Sequence, residues 1–233
     1  MIAVICAMKE ERDAFLKLMK DVKKAKGKKV RYHDRFLDNE YYLGTVEGKE
    51  TVLCRCGVGE IYATISTTLM IGKYKPELII NLGCAGSLNE NVHVNDIVIA
   101  DRVASWRMDV PGWTRSMDSL TCSFPCEEKI RGIVKKVKSE LNVHVGAIVT
   151  ADEFIYRKSQ VNEIRKHFPE ALCGEMEGAA VAGTAYAFNV PVAIIRSISD
   201  ETLVSGNYKE FDFNLQAVCE SAAKLCQQII RRY

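Results

Sequence analysis

The sequence lacks any long apolar run. Its longest, residues 2–8 and 78–82, are strand-length and fall well short of the ~20 residues that span a bilayer. It also lacks an excess of charge of either sign: 32 basic against 30 acidic side chains leave a net charge of +2. That leaves no surplus of cation to neutralise a phosphate backbone, which argues against a dedicated nucleic-acid binder. A leader pattern is missing as well, because Lys9, Glu10, Glu11 and Arg12 interrupt the apolar start. Membrane, secreted and disordered classes are disfavoured, and a cytoplasmic protein is expected.

Cysteine, by contrast, is plentiful. Cys6, Cys54, Cys56, Cys84, Cys122, Cys126, Cys173, Cys219 and Cys226 make an odd set that does not fit a disulfide framework. Most stand where a small apolar residue would serve. Cys54-x-Cys56 and Cys122-x3-Cys126 have no partner pairs at zinc-type spacing, and His33, His93, His144 and His167 are scattered, so no metal is expected. Reduced thiols are the simpler reading. At 26.1 kDa with 48% apolar residues, the chain can bury the core of one domain, taken as residues 1–233.

Strand and helix patterns alternate along it. Residues 2–8 read as a buried strand and 10–19 as a helix; 30–55 read as two or three antiparallel strands with a turn at Glu47-Gly48. Residues 60–73 are helical, with Ile61, Ile65, Leu69 and Met70 on one face. Strands are predicted at 77–82, 96–100, 144–149 and 191–198, and helices at 127–141, 160–167 and 177–188. A last helix carries Leu215, Val218, Ala222, Leu225 and Ile229 on one stripe. Residues 109–125 are the one long irregular stretch, of a kind that is commonly functional. The fold class is therefore α/β, a single domain with a central mixed sheet flanked by helices.

In such sheets ligands bind outside the carboxyl ends of the strands. Four ends carry suggestive residues: 8–11, 83–86, 152–155 and 196–200. Gly57-Val58-Gly59 follows a strand and opens a helix, which offers an anion site at a helix N-terminus. A tight strand-to-helix turn explains the same residues equally well, and neither a dinucleotide fingerprint nor a P-loop is complete. Gly83-Cys84-Ala85-Gly86 reads as a turn where a backbone can approach a ligand closely. Glu175-Met176-Glu177 precedes a small-residue helix, and Arg196-Ser197-Ile198-Ser199-Asp200 ends an apolar strand. Taken singly, each fits a surface acid or a structural ion pair. Together, Glu11, Glu177, Asp200, one arginine and a glycine-rich turn form a set suited to acid/base chemistry on a hydroxylated substrate.

These elements stand in an order that resembles a known family. Ala7-Met8-x-Glu10-Glu11, Gly57-Val58-Gly59, residues 81–86 (NLGCAG), Asp152-x-Phe154-Ile155, Glu175-Met176-Glu177 and Arg196-x-Ile198-Ser199-Asp200 are similar to those of the 5′-methylthioadenosine/S-adenosylhomocysteine nucleosidases, in the purine nucleoside phosphorylase superfamily. The resemblance covers essentially the whole chain. It implies a nucleoside phosphorylase-like fold and hydrolysis of the adenine–ribose bond of methylthioadenosine and S-adenosylhomocysteine, with 5′-deoxyadenosine as a further candidate. Asp200 would pass a proton toward N7, and Glu11, assisted by Arg196, would orient and deprotonate the water. Glu177, with Met176 against the sugar, would bind the ribose hydroxyls. Phe154 would stack on adenine and the Ile155 backbone would read its edge, while Met8 and Val58 would touch the 5′ substituent. Cys84, Glu175, Ser199 and Phe211 complete the expected substrate-binding set. The resemblance implies a homodimer whose partner subunit closes the pocket, a small-molecule nucleoside substrate, and no metal or organic cofactor.

The chain departs from the family pattern at places. Cys84 replaces a serine, Thr150-Ala151 a Ser-Gly, Gly174 a branched residue, and the segment starting at Ser105-Trp106 a Tyr-His-Asp-Ala-Asp run. Two other readings stay open: a phosphorolytic enzyme of the same superfamily, and a nucleoside-binding protein without turnover.

Overall fold

The computed structural model describes residues 1–32, 35–106, 116–118, 122–137, 139–203 and 207–233. Most of the irregular stretch at 109–125, and of the reshaped segment after Trp106, lies outside the described residues. At its end Ser123–Pro125 forms a short strand on the sheet.

Ten strands build one mixed sheet. Its centre is β1 (Ile2–Cys6), flanked by two parallel neighbours, β4 (Lys49–Arg55) and β5 (Leu78–Ser87). Beyond β4 lie β3 (Arg35–Val46) and the edge strand β2 (Lys20–Tyr32), both antiparallel. On the other side, β10 (Val192–Glu201) runs parallel to β5 and antiparallel to β6 (Ile97–Ser105). The sheet continues through β8 (Val143–Thr150) and β9 (Ala171–Glu175), and β7 (Ser123–Pro125) pairs with β6.

The central strands read as continuous apolar runs because both faces are covered. Ala3 and Ile5 join one buried cluster with Ala63, Met70, Ala182 and Ile194. Ile2, Val4 and Cys6 face the other, against Phe15 and the helical residues Cys219, Ala222, Leu225 and Ile229. The helices that cover these faces are α1 (Lys9–Leu16), α2 (Glu60–Tyr74), α5 (Gly178–Ala187) and α6 (Asn207–Arg232). Two further helices, α3 (Glu128–Val134) and α4 (Lys158–His167), complete the layers.

Several expectations are corrected here. The 83–86 run is not a turn: β5 continues through it to Ser87, paired with β10 on one side and β9 on the other. Glycine serves there as a strand residue, because a Cβ on Gly83 would sit 2.7 Å from the Glu11 carboxylate. The helix predicted at 127–141 stops at Val134. The lysine-rich segment from Lys20 is strand, with Lys20, Lys23 and Lys24 exposed on the sheet edge, where charge discourages edge-to-edge pairing. The turn at Glu47-Gly48 forms as expected, with positive φ at both residues.

Candidate active site

A cavity of about 180 Å³ opens at the carboxyl ends of β1, β5, β9 and β10. Every site residue singled out in the sequence lines it except Arg196. Acidic side chains dominate its polar wall: Glu11, Glu153, Glu175, Glu177 and Asp200 contribute, and no lysine, arginine or histidine does among the described residues.

Glu11 sits in the first turn of α1 and folds back over the end of β1. Its Oε2 accepts from the backbone N–H groups of Ala7 and Met8, both at 2.9 Å, and its Oε1 from Cys84 N at 3.1 Å. The Cys84 thiol adds a weak bond at 3.6 Å. Burial raises the Glu11 carboxyl above its ordinary range, working against those N–H donors and Arg196. Glu11 is therefore fixed in place yet remains ready to take a proton. Burial and the neighbouring Glu11 charge push the Cys84 thiol well up, so it stays a neutral donor.

Glu175 ends β9 and anchors the start of α5. It accepts from Glu177 N at 3.0 Å, Gly178 N at 2.7 and 2.9 Å, and the Thr150 hydroxyl. A side chain on Gly178 would meet that carboxylate at 2.8 Å. Glu175 also pairs with Arg196 in full burial. The guanidinium further donates to Asn81 O at 3.1 Å, Ile195 O at 3.0 Å and Asn81 Oδ1 at 2.5 Å. Burial opposes the charge on Arg196, but Glu175 and Glu177 outweigh it and hold the group above its ordinary value. Arg196 is thus a buried counter-ion behind the cavity wall, not a surface it presents to a ligand.

Glu177 places Oε1 2.8 Å from Gly59 N, at the N-terminus of α2. Gly57 and Gly59 both have positive φ, which the turn requires. The adjacent Glu60 N donates to Asp152 Oδ1 at 3.2 Å. The anion position at this helix start is occupied by the protein's own carboxylates. Burial first, then Glu175, push Glu177 up to about 8.

At the opposite end, Asp200 accepts from the Ser199 hydroxyl at 2.8 Å, which also bonds Ala85 O at 3.2 Å. Phe154 meets Phe211 edge-on, with ring centroids 5.7 Å apart, and Ile155 is buried. Met8, Val58 and Met176 supply the apolar remainder. Sequence reading missed Thr150 and Asn81 as supports, although both lie within segments it quoted. It also missed Glu153 and Thr202 in the lining; each stands within two residues of one already singled out.

The carboxylate-lined cavity, the backbone-tethered Glu11 and the sheet order define a class. A family model for the phosphorylase superfamily matches residues 1–231, and the chain belongs to that superfamily. Its curated relatives narrow this to 5′-methylthioadenosine/S-adenosylhomocysteine nucleosidases. The one from Staphylococcus aureus strain bovine RF122 is 36% identical over 198 residues, covering 82% of this chain and 84% of its own. That of Maridesulfovibrio salexigens is 29% identical and covers 99% of this chain and 98% of its own. Among solved structures, the Neisseria meningitidis nucleosidase in complex with methylthio-immucillin-A is 29% identical, with a TM-score of 0.88 over 100% of this chain and 99% of that one.

Proposed function

We infer that the protein hydrolyses the N-glycosidic bond of 5′-methylthioadenosine and S-adenosylhomocysteine, releasing adenine and the 5′-thio-substituted ribose. The observation that carries hydrolysis over phosphorolysis is the cavity wall. It holds five carboxylates and no cation among the described residues, and carboxylates already take the Gly59 and Glu60 amides at the start of α2. A phosphate dianion needs cationic or multiple N–H donors; no lysine, arginine or histidine lines the wall among the described residues, and backbone donors there already serve Glu11, Glu175 and Glu177. A water molecule does not need them.

In this reading the two ends of the cavity divide the chemistry. Adenine leaves poorly as an anion, so Asp200 delivers a proton toward N7, a step worth ~10²–10⁴-fold. As the bond breaks, the ribose gains oxocarbenium character, which Glu177 and the surrounding acids stabilise in a dry site. Glu177 also holds the ribose hydroxyls, with Met176 against the sugar. Glu11, aimed by its three N–H donors, orients the attacking water and takes its proton. Arg196 acts through Glu175, which fixes the β9–α5 corner that presents Met176 and Glu177. Phe154 and Phe211 flank the base, Ile155 reads its edge, and Met8 and Val58 contact the 5′ group.

The same reading makes the protein a homodimer. Ile61 and Ile65 are 65% and 37% exposed on one face of α2, one turn beyond Val58 in the cavity wall, and a second copy would cover them. The nine unbridged cysteines suit a reducing cytoplasm. The test is adenine release from methylthioadenosine, S-adenosylhomocysteine, adenosine and inosine, with and without phosphate. Phosphate-independent cleavage of the two thio-substituted substrates is expected. A strict phosphate requirement would move the protein to the phosphorolytic branch, and tight binding without turnover would make it a binding protein.

A further inference from the structure

The side chain of Asp200 points where a regular strand would not put it. β10 pairs with β5 in register through Ile198↔Ala85, then shifts so that Asp200 pairs with Gly86. Paired residues of a parallel ladder share a face, and successive residues alternate. Ile198 and Asp200, two apart, therefore stand on opposite faces, with Ser199 as the extra residue of a bulge. The face of Asp200 is confirmed by Gly86, where a Cβ would lie 3.0 Å from Asp200 Oδ2. Without the bulge the carboxyl would turn away from the cavity.

The backbone beside the bulge is held from the side of β10 away from β5. On the far side of β10, β6 pairs only with Ile195, Arg196 and Ser197. The two residues before β6 then take over: Asn95 N donates to Ile198 O at 2.9 Å, and Ile198 N to Asp96 O at 2.8 Å. Asn95 reaches this position with φ of 72°, in the left-handed region that asparagine tolerates. The Asp96 side chain, 6% exposed, locks that short loop. It accepts from His93 N at 3.0 Å, Asn142 Nδ2 at 3.0 Å and His144 Nε2 at 2.9 Å. His93 Nδ1 also lies 3.1 Å from Glu201, next to Asp200. From the other flank, Asn214 of α6 donates to Ser199 O at 3.0 Å.

We propose that Asp96 is a positioning residue for Asp200: its carboxylate fixes the 93–96 loop, which holds the Ser199 bulge that turns Asp200 into the cavity. This deepens the hydrolase reading and rests on it. Asp96 does not line the cavity, so its effect belongs in turnover rather than binding.

The experiment is a double-mutant cycle on methylthioadenosine, read by single-turnover adenine release, with Asp96→Asn, Asp200→Asn and the pair. Asp96→Asn is expected to lower kcat about 10- to 100-fold, part of the acid-catalytic factor, and to change KM less than about threefold. In the Asp200→Asn background the same change should have almost no further effect, because its target is already gone. His144→Ala, which keeps Asp96 and removes one donor, should show the same pattern at a smaller size and serves if Asp96→Asn does not fold. Additive losses, or a loss mainly in KM, would reduce Asp96 to a general structural role and overturn the proposal. So would wild-type kcat in Asp96→Asn, or in His144→Ala where that variant stands in. A wild-type enzyme that releases no adenine would overturn the hydrolase reading and this role with it.

Discussion

The two ends of the cavity hold their key carboxyls by different means. Glu11 is set by direct donors, three backbone N–H groups and a thiol, beside a buried ion pair between Glu175 and Arg196. Asp200 is set by strand geometry, through a one-residue register shift in β10 and a serine hydroxyl. The difference matches the tasks the two carboxyls are given. A base that must stay ionised until it takes a proton gains from donors that favour its charged form. An acid that must deliver a proton gains from being aimed by the course of its strand instead.

The comparison breaks most sharply at the two carboxyls themselves. Glu11→Gln and Asp200→Asn are each expected to lower kcat by ~10²–10⁴-fold while substrate binding persists. They should separate on a 4-nitrophenyl 5-methylthioriboside, whose phenolate leaves without a proton. Asp200→Asn should recover most of its loss on that substrate, and Glu11→Gln should recover none. Equal recovery in both variants would erase the assigned division of labour.

A second expectation concerns pH and stability. Glu177 rises from an ordinary carboxyl to about 8, and Glu60 to about 7, with burial the first cause in each. A folded state that holds its protons more tightly than the unfolded chain is favoured at low pH and loses that advantage as pH climbs. The ligand-free protein should therefore lose stability between pH 5 and 8, by up to a few kcal/mol, because each tenfold gain in proton affinity is worth about 1.4 kcal/mol. Most of that comes from Glu177, since solvent screens the less buried Glu60. Glu177→Gln should flatten the slope in denaturant titrations. An unchanged slope would mean Glu177 is already ionised in the empty site.

The smallest effect is expected at Cys84. Its backbone N–H, not its thiol, makes the shorter bond to Glu11, and a hydroxyl would be a better donor than S–H. Cys84→Ser should raise kcat by no more than about threefold and leave the Asp200 end untouched, checked by kcat on both substrates above. A large loss would show that the thiol does something a hydroxyl cannot.

Much of this was legible from residues alone, because buried parallel strands announce themselves as apolar runs and their carboxyl ends carry the polar motifs. Glu11 and Asp200 were found that way and Glu177 from its place before a small-residue helix, and all three line the cavity. What stayed hidden was geometry that a pattern does not encode. The 83–86 run looks like a turn because glycine marks turns, yet here it keeps the strand clear of Glu11 and Asp200. β7 and β9 have three and five residues, too few for a period to show. The resemblance implied that Arg196 assists the water, while the residue alone fitted a structural ion pair; its contacts with Asn81 and Glu175 show a buried counter-ion. The bulge at Ser199 leaves no trace in composition at all.

The most direct measurement runs the reaction on methylthioadenosine in 18O-labelled water with phosphate present, and weighs the sugar product. The expected result is free 5-methylthioribose carrying one 18O at its anomeric hydroxyl, with no sugar phosphate. Unlabelled 5-methylthioribose 1-phosphate as the product would contradict a cavity built to admit water and exclude phosphate.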